Sequence, residues 1–338
     1  MTNGNLIKYL ICGLGSIGKR HCENLLSLGV KQNEIAILRR QNSNPFGDVY
    51  LKEKNFQVFT DLKKALSQKP DAVFITNPTS LHISVALESV KAGCHIFIEK
   101  PLSHSLKKVE RLVEEAKKRN LVGFVGYQLR FHPLLKKIRQ WLNEEKIGRI
   151  TSVRLEMADQ AAKWHPWEDP KISYAFRKDL GGGAIATLSH EIDLLYFLFG
   201  KPKFIFAAGG KYGSMKTDVE DAVESIMEYR QGFHASVQIN YLETPPRRFI
   251  RICGEKGTII LDLLLNEAKL EPLGGKAAVL SVAGFEKNQM YLAELRHFLD
   301  CIKKRKSSLI DLQQGKDVLE IILAIKTSME KQRPLRFL

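Results

Sequence analysis

The first 126 residues alternate short, β-rich apolar segments with amphipathic helical segments, and this alternation restricts the fold more than any other feature. The order starts with "YLICGLG" and "SIGKRHCENLLSLG" and continues to "LVGFVGY". Strands joined through helices pair in parallel and need cover on both faces of the sheet. The pattern therefore predicts an α/β fold with a Rossmann-type, doubly wound parallel sheet in this part of the chain.

After Tyr127 the pattern changes. A helical segment near 133–146 leads to a strand, a polar and aromatic loop, and a helix predicted over 184–199. Consecutive strand patterns joined by short turns then predict a mixed, largely antiparallel open sheet, and two helices close the chain. We expect a dinucleotide-binding domain over 1–126 and an α+β domain for substrate binding and oligomerisation over 127–338.

Length and composition agree with two globular domains. The chain has 338 residues, 44% of them hydrophobic, which is enough for a substantial core and too long for one typical domain. Apolar runs stay below the roughly 18 residues of a membrane span, and the N-terminus has a strand pattern where a signal peptide would need a basic region. We expect a cytoplasmic protein without a membrane partner. Five cysteines without a CxxC pair predict neither a disulfide framework nor a metal site.

The net charge of +15 raises the question of anionic partners. Basic residues are spread along helices such as "SLKKVERLVEEAKKRN", where they are mixed with acids, and no zinc-finger, RRM or basic-zipper signature is present. We therefore expect a solvated basic surface and no nucleic-acid partner. Small anionic ligands are the next alternative.

A glycine motif connects the first strand to the first helix. Gly13, Gly15 and Gly18 fit G-x-G-x-x-G, with Ser16 and Ile17 between the second and third glycines. This context lets glycines form a tight turn and lets a pyrophosphate approach the N–H groups of the helix. The motif predicts dinucleotide binding; the alternative is a glycine turn without a ligand.

Arginines follow the second predicted strand, where NAD-binding folds carry an acid about 20 residues after the glycines. Arg39 and Arg40 could pair with the 2′-phosphate of NADP, whereas an arginine offers no acceptor to a free ribose hydroxyl. NADP is thus the preferred cofactor. NAD stays possible if both arginines lie on the surface and Asn42 or Ser43 contacts the ribose.

Several longer motifs resemble the Gfo/Idh/MocA oxidoreductases, and the resemblance covers nearly the whole chain. The motifs are "GLGSIGKRH", "TNPTSLH", "EKP", "GYQLRFHP" and "DLGGGAIATLSHEIDLLYFLFG". Within the family, "YQLRFHP", "WHPWED" and "LSHEIDLL" resemble a subgroup associated with surface-polysaccharide and sugar biosynthesis.

The resemblance implies roles for individual residues. Lys100 of "EKP" would lie beside the nicotinamide and take part in catalysis, often with a cis peptide before the proline. His190 matches the proton-transfer histidine of the family. Further cofactor contacts are expected from motif residues that follow the fourth and fifth strands, namely Asn77, Pro78, Thr79, His82 and Glu99.

The residues of the segment 184–199 support a site independently of the family. Its apolar residues recur at 3,4 spacing, and at 100° per residue His190 lies nearly opposite that stripe. Asp193 follows one helical turn later. We expect His190 and Asp193 to form a pair that lines a cleft and serves in catalysis.

The sequence departs from the family in one respect. The family commonly has an aspartate about one turn before the histidine that helps to hold the substrate or the lysine, and this chain has Ala186 and Thr187 there. Its absence bears on the identity of the substrate and on activity.

Substrate contacts are predicted after the last strand of the first domain and in the aromatic loop. Arg130 could hold a carboxylate or phosphate of a modified sugar, or could form a salt bridge between the domains. Trp164, His165 and Trp167 offer an aromatic face to a sugar ring, or pack at a contact between domains or subunits. The predicted substrate-binding residues are Tyr127, Arg130, Trp167 and Thr187.

Together these features predict an NAD(P)-dependent oxidoreductase acting on a CH–OH or carbonyl carbon of a sugar, cyclitol or sugar nucleotide. The alternative is a dinucleotide-binding sensor or regulatory protein of the same fold, without turnover. The open sheet of the second domain predicts a homo-dimer or homo-tetramer.

Overall fold

The computed structural model describes residues 7–39, 45–164, 173–215 and 217–337. Across these ranges, no helix combines the length and the apolar character that crossing a bilayer demands.

Regular structure accounts for most of the described chain. The helices are α1 Ser16–Ser27, α2 Pro45–Glu53, α3 Leu62–Leu66, α4 His82–Lys91, α5 Val109–Lys118, α6 Pro133–Asn143, α7 Ala184–Thr187, α8 His190–Phe199, α9 Asn288–Lys304 and α10 Leu312–Lys331. The strands are β1 Tyr9–Cys12, β2 Ile35–Leu38, β3 Gln57–Phe59, β4 Ala72–Ile75, β5 His95–Glu99, β6 Gly123–Gly126, β7 Ile150–Ala158, β8 Phe204–Gly210, β9 Ala222–Glu228, β10 His234–Asn240, β11 Arg247–Gly254, β12 Gly257–Asp262, β13 Glu267–Pro272, β14 Ala278–Ser281 and β15 Leu335–Arg336.

The chain forms two compact units. The first consists of Met1–Tyr127 with Asn288–Lys316, and the second of Gln128–Lys287 with Asp317–Leu338. Helix α9, which the sequence assigned to the second domain, therefore belongs to the first unit.

The first unit contains a six-stranded parallel sheet in the order β3-β2-β1-β4-β5-β6. Strands β1 and β4 lie at its centre, and their sequences, "YLIC" and "AVFI", are almost entirely buried. Continuous apolar runs of this kind are what a parallel sheet covered on both faces requires. This is the predicted Rossmann-type sheet, and the order of the strands along the sheet reverses between β1 and β4.

Aromatic packing attaches α9 to this sheet. The ring of Phe298 lies 5.7 Å from Phe74, 5.5 Å from Phe97 and 6.0 Å from Phe124, measured between centroids. These contacts run across three neighbouring strands. Helix α9 therefore covers the β4-β5-β6 half of one face of the parallel sheet.

The second unit contains a nine-stranded sheet in the order β14-β13-β12-β11-β7-β10-β9-β8-β15. Strands β7 and β10 are parallel, and every other described pair is antiparallel. In β9, Val223 and Met227 are buried while Glu224 and Ile226 are exposed, so one face packs on helices and the other is open. The predicted mixed sheet is confirmed.

The helix predicted over 184–199 is two helices. Leu188 has a ψ of +31°, outside the helical range, and ends α7; α8 begins at His190. The continuous stripe projected along 184–199 is therefore wrong, because the break changes the angular position of every later residue. His190 is the first residue of α8, and all residues from His190 to Leu195 are buried.

Candidate functional site

The glycine turn after β1 packs tightly against the protein at Gly13 and Gly18 and is open at Gly15. Gly13 has a φ of +107°, and a Cβ there would lie 2.8 Å from the backbone nitrogen of Asn77. A Cβ on Gly18 would lie 2.2 Å from the carbonyl oxygen of Gly13, which lets α1 pack tightly against the turn. Around Gly15 a Cβ would meet nothing within 4 Å. The backbone at Gly15 can therefore be approached closely by a ligand.

The start of α1 suits an anion. Gly15 is its N-cap residue, no side chain caps it, and its first turn contains no acidic residue. The N-terminus of a helix carries partial positive charge and donor N–H groups. The turn from Gly13 to Gly18 thus fits the pyrophosphate of a dinucleotide, with Ser16 and Ile17 in the first turn of the helix.

Arg39 directly follows β2, at the carboxyl end of the sheet. Its backbone N–H donates to the carbonyl of Phe59, and its side chain is mostly buried. The guanidinium lies against α2, because a Cβ on Gly47 would be 2.7 Å from Nη1. A cation therefore lies where NAD-binding folds carry a carboxylate. Arg40 lies outside the described residues, as do Asn42 and Ser43.

His82 connects the loops that follow β4 and β5. Its Nε2 lies 2.9 Å from the carbonyl oxygen of Asn77, and its Nδ1 lies 3.0 Å from that of Pro101. Burial lowers the pKa of the His82 imidazole. The Lys100–Pro101 peptide is cis. The structure thus brings together the predicted residues at this sheet edge: Gly13, Asn77, Pro78, Thr79, His82, Glu99 and Lys100.

Glu99 holds the start of the Lys100 turn. Its Oε1 lies 2.8 Å from Nε2 of His21 in α1, and its Oε2 accepts the backbone N–H of Lys100 at 3.3 Å. Gly126 in β6 makes room for this carboxylate, because a Cβ there would be 3.3 Å from Oε1. The carboxylate of Glu99 therefore points toward α1, and the side chain of Lys100 follows it at the end of β5.

Sequence reasoning missed two buried titratable residues near Glu99. His21 shares the buried face of α1 with Gly18 and Leu25, and Glu294 shares the buried face of α9 with Tyr291 and Phe298. The available signal was a polar residue at apolar helical spacing.

In the second unit, Asp193 is paired with Arg130. Nε of Arg130 lies 3.1 and 3.0 Å from the two carboxylate oxygens, and Nη2 lies 2.6 Å from Oδ1. Both side chains are almost completely buried. Burial raises the pKa of the Asp193 carboxyl, and the Arg130 guanidinium opposes that rise. Of the two alternatives for Arg130, the structure shows a salt bridge, and this one lies within the second unit.

A second ion pair starts from the same helix turn. Glu191 Oε1 lies 2.7 Å from Nε of Arg248 in β11, and the Glu191 side chain is 1% exposed. His190 is itself 8% exposed, and its Nδ1 is buried. Two buried arginine–carboxylate contacts therefore hold the first turn of α8, in which His190 lies.

Thr187 and Trp164 both contact Tyr241. Burial raises the pKa of Tyr241, and the neighbouring Thr187 hydroxyl opposes that rise. Trp164 packs edge-on at 5.4 Å from the Tyr241 ring and donates to Asp159. His165 and Trp167 lie outside the described residues, and the predicted substrate residue Tyr127 is completely buried.

Comparison with known proteins covers both units. Residues 7–127 match the model of an oxidoreductase family with an NAD-binding Rossmann fold, and residues 135–260 match the GFO/IDH/MocA C-terminal domain. Myo-inositol 2-dehydrogenase of Thermotoga maritima is 25% identical, over 96% of this chain and 97% of its own. UDP-N-acetylglucosamine 3-dehydrogenase of Acidithiobacillus ferrooxidans is also 25% identical, over 95% and 96%.

A solved structure shows the same fold. Levoglucosan dehydrogenase in complex with NADH and levoglucosan superposes with a TM-score of 0.85 at 20% identity, covering 98% of this chain and 99% of that one. The family models cover the first sheet and strands β7 to β11 of the second, and the relatives extend over nearly the whole length. The chain belongs to the Gfo/Idh/MocA oxidoreductases, with an NAD(P)-binding Rossmann fold.

Proposed function

We propose that this oxidoreductase moves a hydride between a nicotinamide and a hydroxyl or carbonyl carbon of a sugar, cyclitol or sugar nucleotide. One observation carries the proposal. Lys100 follows β5 at the carboxyl edge of a sheet whose glycine turn fits a pyrophosphate, and ligands of open α/β sheets bind at that edge.

The reaction needs groups that handle a proton and an oxygen. When bound, NAD(P) supplies or accepts the hydride. Lys100 donates a hydrogen bond through Nζ to the reacting oxygen and polarises it. His190 exchanges the hydroxyl proton at Nε2, because its Nδ1 is buried, and an imidazole makes that exchange near neutral pH.

Asp193 and Arg130 serve this reaction as positioning residues. The guanidinium of Arg130 is engaged by Asp193, so a substrate anion at Arg130 would have to compete with a buried carboxylate. The Arg130–Asp193 pair is best suited to holding His190 in place, because Asp193 and His190 lie on the same turn of α8. The proposed substrate contacts then come from Thr187 and Trp167, because Tyr127 is completely buried.

The class of substrate follows from the relatives. Their names specify myo-inositol, UDP-N-acetylglucosamine and levoglucosan, which are all polyhydroxylated rings. Hydride transfer at a secondary alcohol is the chemistry that the three share. We propose a substrate of this kind.

NADP is the proposed preferred cofactor. Arg39 follows β2 and carries the charge that a 2′-phosphate requires. NAD would find no acceptor on the Arg39 guanidinium for its free 2′-hydroxyl.

Assembly into a homo-dimer or homo-tetramer and a cytoplasmic location stay predictions. The open face of the second sheet exposes Phe206 and Ile226 on neighbouring strands, which supports a contact between copies. Light scattering tests it: a particle of two or four chains is expected, and a monomer would contradict it.

A sensor without turnover is the second candidate. The family's aspartate is replaced here by Ala186 or Thr187, neither of which carries a charge. This segment of α7 therefore offers no carboxylate to a substrate.

A substrate panel separates the two candidates. We would follow nicotinamide absorbance with myo-inositol, UDP-N-acetylglucosamine and levoglucosan, and cofactor binding by calorimetry. Lys100→Met and His190→Ala should each lower turnover by about 10²–10⁴-fold and leave cofactor affinity nearly unchanged. The exposed residues Lys107 and His234 provide the matched controls Lys107→Met and His234→Ala. Full turnover in both site variants would refute the catalytic roles, and tight cofactor binding without turnover on any substrate would favour the sensor.

A further inference from the structure

Glu294 is a buried acid that the proposed reaction does not use. It lies in α9, its side chain is 0% exposed, and neither carboxyl oxygen has a hydrogen-bond partner among the described residues. Exposed glutamates are unremarkable, but a fully buried one without a partner is rare, because an ionised carboxylate there loses its hydration without compensation.

The nearest acidic group is Glu99. The charge of Glu99 acts on Glu294, and together with burial it raises the pKa of the Glu294 carboxyl well above its ordinary value. Two ionised carboxylates that lie near each other in a buried region repel each other, so one of them takes up a proton. The remaining question is which of the two stays ionised.

Hydrogen bonds assign the negative charge to Glu99. Its two oxygens have donors, His21 at 2.8 Å and the Lys100 N–H at 3.3 Å, whereas Glu294 has none. His21 is 0% exposed, and its Nδ1 has no described partner and lies among Phe74 and Phe97. His21 therefore donates Nε2–H to Glu99.

Other charged and titratable groups around the cluster agree with this arrangement. The guanidinium of Arg20 in α1 lies over the ring of Tyr291, 4.5 Å from its centroid. Burial raises the pKa of Tyr291, so this residue stays neutral at working pH. Strand β6 contributes Gly126, which has no titratable side chain. Arg20 is therefore a cation near the cluster.

We propose that Glu294 is a positioning residue: it is the neutral acid of a buried cluster with His21 and Glu99, and its neutrality keeps the single negative charge on Glu99 that holds the Lys100 turn. The inference rests on the proposed role of Lys100. Ionisation of Glu294 at alkaline pH places a second negative charge beside Glu99; the repulsion between the two carboxylates displaces Glu99 from its position against His21 and the Lys100 N–H and lowers turnover.

Infrared spectroscopy of the ligand-free protein tests the first part without any substrate. At pH 7 the unmodified protein should show the carbonyl stretch of a protonated carboxylic acid. Glu294→Gln should remove that band, and the control Glu114→Gln, at an exposed position of α5, should keep it. Absence of the band in the unmodified protein, or its persistence in Glu294→Gln, would overturn the proposal.

The dependence of turnover on pH tests the second part. Glu294→Gln replaces the neutral acid by a neutral amide of the same shape, so turnover at pH 7 should stay within about twofold and the alkaline decline should disappear. A structural role alone would not move the pH profile. An unchanged alkaline decline would refute the positioning role.

Two further arms keep the outcome decisive. If Glu294→Gln does not fold, Glu294→Met offers an apolar side chain of similar length, and the same two results are expected of it. If no substrate is turned over by the unmodified protein, the proposed function fails, while the infrared result still decides the state of Glu294.

Discussion

The pair formed by Arg130 and Asp193 allows a quantitative test of the second unit. Arg130→Met leaves a buried carboxylate without its cation. Removing one partner of a buried pair costs about 3–5 kcal/mol, because the other charge stays desolvated and unpaired. Asp193→Leu leaves a buried guanidinium and should cost a similar amount. The double variant Arg130→Met/Asp193→Leu removes both charges, so its loss should be smaller than either single loss.

Tryptophan fluorescence during urea unfolding is a suitable assay. All three tryptophans lie in Gln128–Lys287, so the signal reports the second unit. The exposed pair Arg149 and Glu255, whose side chains are 65% and 49% exposed, is the control. Breaking it should cost about 0–1 kcal/mol.

The loss of stability in Arg130→Met should depend on pH in a definite direction. Burial raises the pKa of Asp193, and loss of Arg130 removes the opposing effect, so the carboxyl can be neutralised at low pH. The penalty of Arg130→Met should therefore be small near pH 4 and grow as the pH rises through the pKa of the folded protein. A loss under about 1 kcal/mol at pH 7, equal to that of the control pair, would refute the reasoning.

Three further outcomes are expected. Calorimetry should show NADPH bound at least about tenfold more tightly than NADH, and Arg39→Ala should remove most of that difference; equal affinities before substitution would contradict it. Gly15→Ala should keep the melting temperature and weaken cofactor binding, whereas Gly18→Ala should lower the melting temperature, because its Cβ would lie 2.2 Å from a backbone oxygen. The folded state keeps a proton on Glu294 that the unfolded chain releases above its pKa near 4.3. Between that pH and the pKa of Glu294 in the folded protein, the free energy of unfolding should therefore fall by about 1.4 kcal/mol per pH unit. Glu294→Gln should abolish that slope, whereas the control Glu114→Gln should keep it. If the two variants show the same slope, Glu294 is not the neutral acid.

The hydrophobic patterns of the strands predicted both sheets, because the burial of each face of a strand determines which positions must be apolar. Parallel strands such as β4 are apolar throughout, and strands such as β9 alternate, so their sequences separate the two units. Short elements were missed: no helix was predicted at α2, and β15 is only two residues long. The break after Thr187 was missed because apolar spacing continues across it while the backbone of Leu188 leaves the helix.

Local motifs predicted individual site residues better than their partners. The glycine motif and "EKP" identify Gly13, Gly15 and Lys100 because chain neighbours define their geometry. Arg130 and Asp193 are 63 positions apart, and no periodicity links them. Glu99 and Glu294 are even more widely separated along the sequence, so only a three-dimensional structure could show that these two acids interact.

The contacts of Phe298 have a consequence for synthesis of the protein on the ribosome. Residue 127 leaves the ribosome long before Asn288–Lys304, and translation proceeds at about 5–20 residues per second, so the first sheet waits roughly 10–30 s for the helix that covers Phe74, Phe97 and Phe124. Throughout that interval three aromatic rings in neighbouring strands lack their partner. We therefore expect the nascent first unit to bind chaperones that recognise exposed aromatic surface, and a fragment that ends at Tyr127 to aggregate when it is expressed alone.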